Sequence, residues 1–169
     1  MTGAGVALAL IVALLAQTTL TRFVVGAPVS VDLVLVAVVS TGLKAGPVMG
    51  LMAGTLGGLV QDGLSSGVIG VGGLAKSVVG FLSGVIGTQF IVAHAGPRFV
   101  VFAGATLLHA ALFIGIYELL ELRDFGLPGT ALAVASLGNA FVGVLALQLA
   151  DLLPGAMERR RASRPGLRR

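Results

Sequence analysis

Long apolar stretches alternate with short polar connections along this chain, and the pattern predicts six helices. We expect them over residues 4–21, 31–43, 47–61, 69–93, 99–120 and 130–152. Runs such as VALALIVALLA and VDLVLVAVV are apolar on every face of a helix, as membrane-spanning helices are. The second helix is short for a bilayer core of about 30 Å, so we expect it to begin earlier, near Pro28.

The composition places the chain among integral membrane proteins. Hydrophobic residues make up 56% of its 169 residues, charged residues only 11%, and the mean hydropathy is +1.04. A soluble domain carries about 25% charged residues, so this chain lacks the polar surface that a water-soluble fold needs. Because the strands of a membrane β-barrel alternate in polarity, the fold class that we expect is an all-α bundle of about six transmembrane helices.

The basic residues predict the orientation. Residues 1–155 are expected to form the polytopic transmembrane domain, and residues 156–169 a disordered basic tail with six of the eleven Lys and Arg residues. Residues 4–21 lack the basic start and cleavage site of a signal peptide, so we interpret them as a retained helix. Six spans and the positive-inside rule then place both termini in the cytoplasm. The tail indicates an anchor beside anionic lipid rather than a nucleic-acid site.

Glycines recur at helical spacing in the two middle segments. Gly50, Gly54 and Gly58 follow one another every fourth residue in the third helix, as do Lys76, Gly80 and Gly84 in the fourth. Residues at this spacing share one ridge of a helix, and a ridge of small residues lets two helices approach backbone to backbone in lipid. We therefore predict a close-packed centre, with an acid (Asp62) and a base near it.

Asp62 and Lys76 form the most informative charged pair. Lys76 lies inside an apolar segment, where a charge is costly unless it is paired, hydrated or extended to the interface. One interpretation is a substrate, proton or ion site; the other is that Lys76 reaches the interface or that the pair pins two helices. We favour the structural interpretation, because a mobile-ion site usually has more than one intramembrane acid.

The remaining polar residues of the spans suggest structural roles. Asp32 is positioned to cap the second helix, and Gln17 and Asn139 to hydrogen-bond between helices. His94 and His109 have no partner at metal-ligand spacing, so we interpret them as packing or interfacial residues.

No arrangement of residues in the sequence argues for catalysis. The chain has no cysteine, no phosphate-binding GxxxxGK[ST] loop and no local set of Ser, His and carboxylate. We therefore expect no enzymatic activity, cofactor or metal.

The order of these features resembles the rod shape-determining protein MreD family over nearly the whole chain. The resemblance lies in the Gln-Thr pattern around Gln17, the Asp-Leu that opens the second span, and GxxxGxxxG followed by QDGLSSGVIGVGGLAK. Its most specific part runs from Asp62 through Gly67 and Gly70 to Lys76. Family members often have proline immediately before the acid of the second span, whereas here three residues separate Pro28 from Asp32.

The resemblance implies a multi-pass inner-membrane component of the bacterial cell-elongation complex. Its implied partners are the bitopic protein MreC, the filament protein MreB, and the membrane enzymes that polymerise and cross-link peptidoglycan, a glycosyltransferase and a class B penicillin-binding transpeptidase. It also implies an architecture similar to the substrate-binding subunits of energy-coupling-factor vitamin transporters.

Two functional hypotheses follow from the sequence. The first is a non-enzymatic scaffold whose glycine ridges receive the transmembrane helix of an MreC-like partner. The second is a small-solute transporter, or its substrate-binding subunit, with Asp32, Asp62 and Lys76 lining a pocket.

Overall fold

The computed structural model describes residues 2–23, 31–65, 67–121 and 129–162, and within these ranges the protein is helical without strands. The helices are α1 (Gly3–Phe23), α2 (Leu33–Ala45), α3 (Pro47–Leu64), α4 (Val71–Gln89), α5 (Ala95–Leu119) and α6 (Gly129–Ala162). Four of them, α1, α4, α5 and α6, are long and apolar enough to cross a membrane. The expectation of six helices is confirmed for the described residues.

The short helix α2 lies at the centre of the bundle. It contacts each of the other five helices, and seven of its thirteen residues are buried. Val34, Val38 and Val39 are fully buried, whereas every other helix exposes several large apolar side chains. At 1.5 Å per residue α2 is about 20 Å long, which is shorter than a bilayer core, and its neighbours surround it over that length.

The glycine ridges of α3 and α4 pack directly against each other. A methyl group added at Gly50 would overlap the carbonyl of Gly80, and one added at Gly54 would overlap the carbonyl of Lys76. At Gly58 an added methyl group would collide with the backbone of Gly73. These two helices accordingly make the most extensive helix–helix contact of the bundle, and the predicted close approach is confirmed.

The glycine ridge of α4 also lies against the backbone at the start of α3 and against α2. A side chain at Gly84 would collide with Pro47 at the start of α3, and one at Gly42 of α2 would meet the carbonyl of Gly80 at 2.6 Å. The ridges are therefore filled by this chain's own helices. The expectation that they form a docking face for a partner helix is wrong, because no space is left between them.

Several helix boundaries differ from the expectation. Helix α2 begins at Leu33 rather than near Pro28, because Asp32 caps it there. Helix α4 begins at Val71 rather than at residue 69, directly after Gly70, whose φ of 106° lies in the left-handed region that glycine tolerates.

Two prolines also sit inside helices. Residues 95–98, which precede the expected helix 99–120, form the first turn of α5, where Pro97 is tolerated because the first N–H groups of a helix have no partner within it. Pro154 and Gly155 do not end α6, which continues to Ala162. A proline removes one hydrogen bond from the helix ladder and can bend a helix without stopping it. Residues 163–169 of the expected tail lie outside the described residues.

Replacing Gly54 with alanine should destabilise the bundle, because the added methyl group meets backbone that has no rotamer to change. Over-packing of this kind costs about 1–3 kcal/mol. Gly104 of α5 has no atom within 4 Å of the corresponding position, so Gly104→Ala is the matched control and should leave stability unchanged or raised. Thermal unfolding of the purified variants in one detergent measures both effects. Equal melting temperatures would show that α3 and α4 are not in backbone contact.

Candidate functional site

The start of α2 is capped by side chains from within the bundle. Asp32 precedes the helix in extended conformation, and its Oδ1 accepts a hydrogen bond from the Leu35 N–H at 2.9 Å. The Leu33 N–H donates to Oε1 of Gln17 on α1 at 2.8 Å. The first N–H groups of a helix have no partner in their own helix, and where water is absent side chains must supply one. The capping role predicted for Asp32 is confirmed, as is the interhelical hydrogen bond of Gln17.

A buried ion pair joins this cap to α4. Nζ of Lys76 lies 2.9 Å from Oδ2 of Asp32, and the side chains are 4% and 19% exposed, respectively. The same Nζ lies 3.2 Å from Nε2 of His109 on α5. A charged lysine can only donate, so Nε2 of His109 is the acceptor in this contact and the ring proton lies on Nδ1. Asp32, Lys76 and His109 are the core of what we call the polar cluster.

Asn139 and Thr106 complete the polar cluster on α6 and α5. Oδ1 of Asn139 accepts from the Asp32 N–H at 2.8 Å, and its Nδ2 donates to Oγ1 of Thr106 at 3.2 Å. The Thr106 hydroxyl in turn donates to the Phe102 carbonyl at 2.9 Å. The interhelical hydrogen bond expected of Asn139 is confirmed. Residues from α1, α2, α4, α5 and α6 thus meet around one aspartate.

Asp62 serves α4 and does not pair with Lys76. Its Oδ2 accepts from the backbone N–H groups of Gly70 at 2.9 Å and Gly73 at 3.1 Å, so the carboxylate at the end of α3 caps the start of α4. Asp62 is 9% exposed and complements the positive end of the α4 dipole. The idea that the connection between α3 and α4 brings Asp62 to Lys76 is wrong, because the Asp62 carboxylate binds the Gly70 and Gly73 N–H groups and Lys76 pairs with Asp32.

Further hydrogen bonds hold α3, α4 and the connection between them in place. Tyr117 of α5 accepts a hydrogen bond from the Val68 N–H at 2.9 Å, beside Gly67. Farther into the α3–α4 contact, the hydroxyls of Thr55 and Ser77 lie 2.7 Å apart.

A second charged group lies at the opposite end of the bundle. Asp151 of α6 bridges Nζ of Lys44 at 2.7 Å and Nη2 of Arg98 at 2.8 Å. Its side chain is 45% exposed. The end of α2, the start of α5 and the part of α6 around Asp151 therefore lie together, and this is also the end of the bundle at which α1 begins.

The polar groups of the cluster are paired with one another across helices. The charges of Asp32 and Lys76 offset each other, and Oδ1 of Asp32 is held by a backbone N–H. Among the described residues, no three His, Cys, Asp or Glu side chains are grouped as a metal site requires. Sequence reasoning missed Thr106 and the contact of His109 with Lys76, because these partners lie 33 residues apart along the chain and no local spacing reports them.

No protein-family model matches the chain, and no curated protein and no solved structure shows significant similarity to it.

Removing only one partner of the ion pair should destabilise the protein far more than removing both. Lys76→Met leaves the Asp32 carboxylate without its cation in a buried site, a change that costs about 3 kcal/mol or more. The double variant D32N/K76M should recover most of that loss, because asparagine still caps α2 and no charge remains. Thermal unfolding of the two single variants and the double variant measures the coupling free energy between Asp32 and Lys76. Additive losses would show that the two groups do not interact.

Asp62→Ala should loosen the start of α4 by removing the acceptor for two backbone N–H groups. The expected loss is about 1–2 kcal/mol, the usual cost of losing a helix cap. Asp62→Asn retains an acceptor oxygen and should lose less. Amide hydrogen exchange of residues 67–74 should accelerate in Asp62→Ala while exchange in α5 is unchanged. Unchanged exchange in residues 67–74 would contradict the capping role.

Proposed function

We propose that this chain is a non-enzymatic, multi-pass membrane component of the bacterial cell-elongation complex, of the MreD kind, acting as a rigid scaffold. The observation that supports this proposal best is that the residues carrying the family resemblance are also those that hold the bundle together. Asp32 caps α2 and Asp62 caps α4, while Gly70 supplies the left-handed turn and Lys76 pairs with Asp32. The pairing of Asp32, Asp62 and Lys76 with groups of the same chain fits a structural component.

The exposed surface supports insertion in a membrane. Large apolar side chains are exposed on five of the six helices, including Leu15 on α1, Leu56 on α3 and Leu149 on α6, at 57–63%. Side chains of this kind suit a surface that faces lipid, whereas soluble monomers rarely expose large apolar patches. Lys44 and Arg98 lie at the end of the bundle where α1 begins, and six arginines follow Asp151 along the sequence. By the positive-inside rule this end faces the cytoplasm of the inner membrane and carries both termini.

The partners that we propose are an MreC-like bitopic protein, an MreB-like filament, and the transpeptidase and glycosyltransferase of wall synthesis. Because the ridges of α3 and α4 are occupied by each other, partner helices must contact outward-facing side chains instead. The solute-binding alternative draws no support from the cluster, since Asp32 and Lys76 neutralise each other and Asp62 binds backbone.

The charge-free variant D32N/K76M separates the scaffold from the solute-binding alternative. In the source bacterium, loss of the gene should make rod-shaped cells round, and the wild-type copy should restore the rods. If the cluster is structural, D32N/K76M should also restore them and should co-purify with the MreC-like protein, because the helices remain in place. Microscopy, together with the amount of the variant in membranes, measures the outcome.

Two outcomes would contradict the proposal. Rods that persist without the gene would exclude a role in elongation. A double variant that accumulates and unfolds at the wild-type temperature, yet fails to restore rods, would instead make Asp32 and Lys76 functional groups and favour solute binding.

A further inference from the structure

An open groove runs between α1, α2 and α6 on the outside of the bundle. Its volume is about 640 Å³, and nearly all of its wall is apolar. Small residues line much of it, among them Gly5, Ala9, Ala13, Ala37, Ala146 and Ala150. The hydrophobic core beneath it is closed by Leu147, which is 3% exposed.

The length of the groove matches one leaflet of a bilayer. Its α1 wall extends from Gly5 to Ala16 and its α2 wall from Leu33 to Lys44. Each wall spans twelve residues, and the eleven steps of 1.5 Å between its first and last residue make about 16 Å, or half of a hydrocarbon core of about 30 Å. Beyond Ala16 a shallower hollow continues along α1 without a wall from α6. A transmembrane helix would need the full thickness, whereas a lipid chain needs only its own leaflet.

The polar groups of the groove follow the same order, from its end inward, as the phosphate and the ester carbonyls of a phospholipid. Lys44 lines the groove at the end of α2, and next to it Arg98 shares the carboxylate of Asp151, so the three side chains carry one net positive charge. One helical turn deeper, the hydroxyls of Ser40 and Thr41 are buried and have no hydrogen-bond partner among the described residues. Thr41 as a whole is only 1% exposed. A phosphate at Lys44 would place ester carbonyls at this depth, within reach of a hydroxyl that rotates toward them.

We propose that the α1–α2–α6 groove binds one anionic phospholipid, with its phosphate at Lys44, its ester carbonyls at Ser40 and its acyl chain along the small residues of α1 and α6. Basic residues between helices at the cytoplasmic face are a known arrangement for anionic headgroups. The proposal requires a bilayer but does not depend on a role in cell elongation, so the two can fail separately.

Native mass spectrometry of the full-length protein, after reconstitution with equal amounts of phosphatidylglycerol and phosphatidylcholine of the same chains, tests this site. The wild type should retain one phosphatidylglycerol molecule in preference to phosphatidylcholine. Ala9→Phe fills the groove and should abolish this retention, whereas Ala7→Phe, at an exposed position outside the groove, should not. Lys44→Gln should reduce the preference about fivefold, the effect of one cation near an anionic lipid. Arg168→Gln removes the same charge from the end of the chain and should have no effect.

Each remaining outcome would overturn the proposal. Retention that survives both Ala9→Phe and Lys44→Gln would place the lipid elsewhere, and retention that depends on Arg168 would assign it to the tail. If Ala9→Phe left lipid retention unchanged but prevented co-purification of the MreC-like protein, the groove would belong to a partner helix. Equal retention of the two lipids would show an adventitious apolar contact only.

Discussion

The start of α2 within the bundle is the constraint on which the rest of the structure depends. This helix is surrounded by the other five, so water cannot satisfy its first N–H groups. Gln17 and Asp32 satisfy them instead, and Asp32 must then be neutralised where it is buried. Lys76 does so at the cost of being buried itself, and His109 accepts a hydrogen bond from it. With Asn139 of α6, which accepts from the Asp32 N–H, one helix end therefore accounts for polar residues on four further helices.

The glycines allow the neighbouring helices to come close enough to enclose α2. A thirteen-residue helix can be enclosed only if its neighbours come close, and Gly42, Gly80 and Gly84 allow α2 and α4 to touch through their backbones. Close approach excludes water and lipid from the interior, which raises the cost of any unpaired polar group there. Backbone packing and the satisfaction of the polar cluster are thus two requirements of one arrangement.

Periodic features were predictable from the sequence, and long-range ones were not. The apolar runs predicted six helices, and the recurrence of glycine at every fourth residue (Gly50, Gly54 and Gly58) predicted the contact of α3 with α4. Both signals are local, because each lies within one helix. The sequence could not report that Lys76 turns to Asp32 instead of Asp62, since that choice depends on how α2 and α4 cross. Because Asp62 is closer to Lys76 along the chain than Asp32 is, sequence reasoning favoured Asp62 as the partner. Nor could it report that α2 is central, because all six segments are similarly apolar.

The polar contacts also determine which of several similar packings forms. Ridges with glycine at every fourth position would fit again after a slide of one step, about 6 Å along the axis, so small residues alone leave the register of α3 on α4 open. The bonds of Asp62 to the Gly70 and Gly73 amides exist in only one register, as does the contact between Thr55 and Ser77. A polar residue that fixes register in an otherwise repetitive helix contact is a well-attested use of such groups. We infer that the glycines supply close approach and the carboxylates supply uniqueness, which is why neither feature by itself would specify this bundle.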